Sequence, residues 1–161
     1  MAALAVATTL VAVSPAADAA TKTQTFDVTL KIIADCTIAA GNLDFGQSQG
    51  VLAAQLNVNS TITVTCTNTT PYSVGLDAGT GTGSTTSARV MSGTGGNTSK
   101  VSFNLYQTNG ATNWGNNQGT DTKAGTGNGL AQALTVYGAV PVQSTPQPDT
   151  YKSTITATVY F

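Results

Sequence analysis

Between Thr25 and Ile32 the chain reads Thr-Phe-Asp-Val-Thr-Leu-Lys-Ile, with an apolar side chain at every second position. Successive side chains of an extended chain point to opposite faces, so Phe26, Val28, Leu30 and Ile32 make one apolar face and Asp27, Thr29 and Lys31 a polar one. The same period of two returns in Thr61–Cys66, Lys100–Tyr106 and Tyr151–Phe161, whereas no helical periodicity follows the first twenty residues. That rhythm predicts an all-β fold. It also leaves a surplus strand before the first cysteine and a last strand that stops at Phe161 in mid-alternation. Two such ends suggest polymerisation.

Ala2 to Val13 is an apolar run too short to span a bilayer, followed by Ser14-Pro15 and the small-residue stretch Ala16-Ala17-Asp18-Ala19-Ala20. This reads as a signal peptide over residues 1–19, cleaved after Ala19 or Ala20 where Ala17-x-Ala19 fits the small-residue rule. No Lys or Arg precedes the apolar run, so either the start is truncated, the reading we favour, or the leader is unusual. The roughly 140 remaining residues suit one domain. An exported chain and no insertion into a lipid bilayer are the expectations.

Charged residues make up only 8% of the chain. Asp18 leaves with the leader, so six basic side chains face six acidic ones in the mature protein. No basic patch can be built from that balance, which argues against nucleic acid or anionic lipid as a partner. The chain has no His and no Glu, and its mature aspartates are scattered singly. Neither paired carboxylates, a nucleophile elbow nor metal-ligand spacing appears, so no enzyme, cofactor or metal site is expected. The Gly79-Thr-Gly-Thr-Gly-Ser84 run lacks the Lys-Ser/Thr and the helix of a phosphate loop. Asn59-Ser-Thr61, Asn68-Thr-Thr70 and Asn97-Thr-Ser99 match the glycosylation triplet by chance in a chain so rich in Asn and Thr.

Cys36 and Cys66, 30 residues apart, most simply form one disulfide in an exported chain. A shared metal is the alternative, but zinc wants four ligands. Further strands are read at Ile33–Ile38, Leu43–Gly46, Tyr72–Leu76, Ala88–Met91 as a brief edge strand, and Leu134–Gly138. Thr61–Cys66 and Tyr72–Leu76 are expected to pair as a hairpin across Asn68-Thr-Thr-Pro71. Asp77–Ser99 and Asn109–Gly129 read as loops, the second holding Trp114, which is expected to pack rather than to stand exposed. About six main strands with turns between them suit a Greek-key β-sandwich of immunoglobulin-like type lacking its last strand.

Cys36-Thr-Ile, Leu43-Asp-Phe-Gly46, Val64-Thr-Cys-Thr67 before Pro71-Tyr72, and Leu76-Asp-Ala-Gly79 form one set of marks. Val101-x-Phe-x-Leu-Tyr106, Trp114-Gly115, Val136-Tyr-Gly138 and the closing Tyr151–Phe161 form another. Together they resemble the spore coat protein U domain, a family that includes pilus subunits of archaic, Csu-like chaperone-usher systems. Pro148-Asp149-Thr150 departs from the family where a glycine is usual, and the departure alters a turn.

The resemblance implies donor-strand complementation. Residues 20–32 would be a donor strand whose Phe26, Val28, Leu30 and Ile32 plug a neighbour's groove, and residues 33–161 the incomplete sandwich that receives one. It implies identical or related pilin subunits, a periplasmic chaperone and an outer-membrane usher as partners, export to the cell surface, and a role in adhesion and biofilm formation. A spore- or cell-coat structural protein and a stand-alone adhesin or carbohydrate-binding module are the alternatives.

Overall fold

The computed structural model describes residues 18–47 and 50–161. The expected leader lies outside the described residues except for Asp18 and Ala19. Among the described residues no helix is assigned, and none is long and apolar enough to cross a membrane. Nine strands follow in chain order: β1 (Cys36–Ala40), β2 (Leu56–Cys66), β3 (Pro71–Leu76), β4 (Arg89–Gly93), β5 (Lys100–Tyr106), β6 (Lys123–Thr126), β7 (Ala131–Val140), β8 (Tyr151–Lys152) and β9 (Ala157–Tyr160). They form a six-stranded sheet ordered β1-β2-β7-β5-β4-β8 and a three-stranded sheet ordered β6-β3-β9. Every pairing is antiparallel.

Period-two alternation builds the core as the sequence predicts. Ile62, Val64 and Cys66 of β2 and Val101, Phe103 and Leu105 of β5 are buried, with Ser, Thr and Lys turned outward. They share one cluster with Tyr72, Val74 and Leu76 of β3, so the two sheets enclose a common core. The segment around Trp114 ties the sheets together. Trp114 N–H donates to Leu105 O (2.9 Å) on one sheet, while its indole Nε1 donates to Val74 O (2.7 Å) on the other. Trp114 is fully buried, and Leu76 N–H donates to Gly115 O (2.8 Å) beside it.

Cys36 and Cys66 face each other as the first pair of the β1–β2 ladder and are joined by a disulfide, with Cα atoms 4.1 Å apart. On the chain-entropy model a bridge closing a loop of this size stabilises by about 3 to 4 kcal/mol. The double variant Cys36→Ala/Cys66→Ala is expected to unfold at correspondingly lower urea, followed by the fluorescence of Trp114, and to reach the exterior in lower yield. An unchanged unfolding midpoint would remove the bridge from the stability account.

The arrangement departs from the sequence reading at several places. β3 does not form a hairpin with β2; it pairs with β6 and β9 in the other sheet. β2 already has β1 on one edge and β7 on the other, so no ladder position is left for β3. Between them, Thr70 N–H donates to Thr67 O (3.1 Å) and Thr69 adopts φ 65°, a turn that carries the chain across to the second sheet. β4 is no edge strand, because β8 pairs on its far side. β6 lies within the stretch read as loop. Leu43–Gly46 is not a strand, although Leu43 and Phe45 are half-buried against the core.

Residues 18–35 carry no strand, so the alternating run Thr25–Ile32 is not one in the single chain and the strand read at Ile33–Ile38 begins only at Cys36. Ile32–Phe161 forms one compact unit.

Candidate functional site

The run from Tyr151 to Tyr160 is one extended segment that changes sheets. Its first residues pair with β4 and its last with β3. In between it is held by the segment after β3: Thr80 N–H donates to Thr154 O (3.2 Å) and Asp77 N–H to Thr156 O (3.1 Å). In return Thr154 N–H donates to Thr80 Oγ1 (3.0 Å) and Thr156 N–H to Asp77 Oδ1 (2.9 Å). Residues of even number thus spend their backbone groups on this side. By alternation, the N–H and C=O of Ser153, Ile155, Ala157 and Val159 face the opposite edge. β9 ends its sheet, and among the described residues no strand is hydrogen-bonded to it there. Such an edge is a template for another strand.

A cavity of about 520 Å³ opens beside this edge, between the two sheets. Ala40 to Leu43 with Phe45 form one wall and Lys152 to Ile155 with Ala157 the other, over a floor that includes Ile62, Phe103 and Val136. The floor is buried core, yet Ile38, Leu43, Phe45, Ile155, Ala157 and Val159 around it are only partly covered. β1 is likewise an edge strand, paired only with β2. Ser153 is among the lining residues, and its hydroxyl is buried beside Gly79 with no hydrogen-bond partner.

Arg89 supports one wall. Its guanidinium donates to the carbonyls of Asp77 (2.9 Å), Thr86 (2.7 Å), Leu76 (2.9 Å) and Trp114 (2.7 Å). Burial lowers its pKa to about 10, with Asp77 and Asp121 acting in the other direction, so the group remains charged at neutral pH. It therefore pins the segment on which Thr154 and Thr156 hang. Nothing in the sequence reading singled it out, although it is the chain's one arginine and sits in the apolar run Ala88-Arg-Val-Met91.

A second cavity of about 390 Å³ lies at one end of the compact unit, lined by Ile32, Ile33, Thr67 to Pro71 and Phe161. The start of the unit and the end of the chain therefore meet at the same pole. Of the residues named from sequence, Cys36 and Cys66 are brought together. Phe26, Val28, Leu30 and Ile32 are 84, 85, 87 and 75% exposed, so the apolar face read from sequence is uncovered.

Comparison with solved structures finds the CsuC-CsuE chaperone-tip adhesion subunit pre-assembly complex from archaic chaperone-usher Csu pili of Acinetobacter baumannii. The TM-score is 0.57 at 24% identity over 81% of this chain, which spans only 40% of that one. The minor tip subunit HdaB of the E. coli Hda pilus is also found, at TM-score 0.39 and 16% identity over 77% of this chain and 78% of that chain. No curated protein matches. A family model does: that of the Spore Coat Protein U domain matches residues 22–158, from before the alternating segment into β9, and the chain belongs to that family.

Proposed function

We propose that the chain is a structural subunit of a chaperone-usher surface pilus, an incomplete immunoglobulin-like sandwich that polymerises by lending residues 20–32 to the groove of the next copy. The observation that carries this reading is the match between the groove and the alternating segment. The unpaired edge from Ser153 to Val159 and the segment from Phe26 to Ile32 have the same number of residues, each about 20 Å long at ~3.3 Å per residue. Strand addition would satisfy the edge with main-chain hydrogen bonds while Phe26, Val28, Leu30 and Ile32 fill the space between the sheets. Burying four such side chains contributes on the order of 6 to 12 kcal/mol before ordering costs, at about 1.5 to 3 each.

Polarity follows from the shared pole. Tyr151 to Phe161 runs toward the end where Ile32 leaves the compact unit. In a head-to-tail stack the extension enters the next copy at the opposite end, Ile32 near Ser153 and Phe26 near Val159, antiparallel to the receiving edge. Head-to-tail addition does not close on itself, so the product is a fibre. Export through the periplasm, a chaperone that covers the groove until an outer-membrane usher exchanges it, and service in adhesion and biofilm formation belong to the same reading.

Deleting residues 21–32 is expected to leave a folded subunit that forms no fibres under electron microscopy. Fibres from the truncated chain would end the donor-strand reading.

A further inference from the structure

Nine large apolar side chains stand exposed among the described residues, and four of them are the proposed donor side chains. The other five, 59 to 71% exposed, lie at the two ends of the compact unit. Ile33 and Phe161 line the cavity at the pole where the extension leaves. Leu130 joins them there, since Gly129 N–H before it donates to Cys66 O (3.0 Å), next to Thr67 in the cavity wall. Val51 and Val142 lie at the other pole, where their neighbours are bonded, Gln143 N–H donating to Leu52 O (3.3 Å). β7 runs from one pole to the other, Ala131 preparing its ladder beside Thr65 and Val140 closing it beside Leu56. Its ten residues put the poles about 30 Å apart at ~3.3 Å per residue.

Single exposed aliphatic residues are ordinary. Their confinement to two opposite ends is what calls for an occupant. Ile33 follows the last donor residue directly, and in an extended donor strand it would point to the opposite face, so it would not enter the groove with Ile32. With Ile32 seated at the mouth of the next copy's groove, that copy's end must lie within about one residue's rise, ~3.3 Å, of Ile33. Antiparallel insertion brings together these two poles and no others. We infer that successive copies of this chain also meet end to end, Ile33, Leu130 and Phe161 of one against Val51 and Val142 of the next. This rests on the donor-strand reading and adds to it a second contact, one that turns a hinge at Ile32 into a supported joint.

Engineered thiols test the contact in the full-length protein. In Leu130→Cys/Val142→Cys the two new cysteines flank β7 at opposite ends, far beyond the ~7 Å Cα separation that a disulfide tolerates within one chain. The native cysteines are already paired, so no other thiol competes. Ile33→Cys/Val51→Cys serves as a second pair with a different lateral offset. Fibres of either variant, mildly oxidised and then boiled in detergent without reductant, are expected to run as a ladder of multimers that collapses to monomer on reduction. Normal fibres in which neither pair cross-links would overturn the end-to-end contact and leave donor-strand exchange standing. Failure of the unmodified protein to form fibres at all would overturn both together.

Discussion

Leu30→Asp is expected to leave the subunit folded and to abolish its assembly. Leu30 is 87% exposed in the single chain, and a substitution at such a site typically changes folding stability by no more than about 0.5 kcal/mol. In the fibre the same side chain would lie between two sheets over Ile62, Phe103 and Val136. There the change forfeits about 1.5 to 3 kcal/mol of apolar burial and adds an unpaired carboxylate, at several kcal/mol more. A loss of about 5 kcal/mol weakens association by three to four orders of magnitude. Thr29→Asp, on the polar face of the same segment, is the matched control and is expected to assemble. Electron microscopy and detergent-resistant ladders read both variants, and fibres from Leu30→Asp would show that this face does not enter a groove.

Arg89→Ala is expected to cost on the order of 4 kcal/mol of folding stability. Arg89 is 1% exposed, and its guanidinium serves four main-chain carbonyls, of which those of Leu76 and Trp114 are fully enclosed. Truncation leaves these two acceptors unpaired at about 1 to 3 kcal/mol each and opens a void beneath them. The buried charge disappears with the side chain, which returns part of the loss. Total stabilities of single domains are only about 5 to 15 kcal/mol, so much of the margin goes. Arg89→Lys keeps the charge but cannot span four acceptors, and an intermediate loss is expected. Urea unfolding followed through Trp114 separates the three proteins; coincident curves would mean that the carbonyl cluster holds without its donor.

Much of this was legible in the sequence because alternation is a local signal. Ile62, Val64 and Cys66, like Val101, Phe103 and Leu105, could be assigned to the core from spacing alone; of the face read as Ile155, Ala157, Val159 and Phe161, the first three pack partly buried against the core, while Phe161 stands 59% exposed. Which edge a strand joins is not local. Asn68-Thr-Thr-Pro71 announces a turn, yet nothing in it says that β2 has both edges occupied and that the chain must cross to the other sheet. β6, Lys-Ala-Gly-Thr, has no apolar alternation, and only its backbone pairing with β3 makes it a strand. Arg89 was missed because its partners are carbonyls up to 25 residues away, where a lone charge most often marks a solvated face. A gap left by a missing strand was expected from the sequence; the cavity beside the Ser153–Val159 edge has a wall at Leu43 and Phe45 that comes from a segment that forms no strand at all.

The central claim is that each copy both gives a strand and receives one, and complementary defects test it most directly. Leu30→Asp keeps an intact groove but cannot donate. Ala157→Phe, which places a ring in the groove beside Ile155, is expected to donate but not to receive. Neither variant alone should assemble. Mixed in equal amounts, they should form heterodimers and stop there, because one partner has no usable donor and the other no free groove. Size-exclusion chromatography with light scattering reads the outcome: a dimer limit is the predicted result, and growth beyond two subunits, or fibres from either variant alone, would contradict the account.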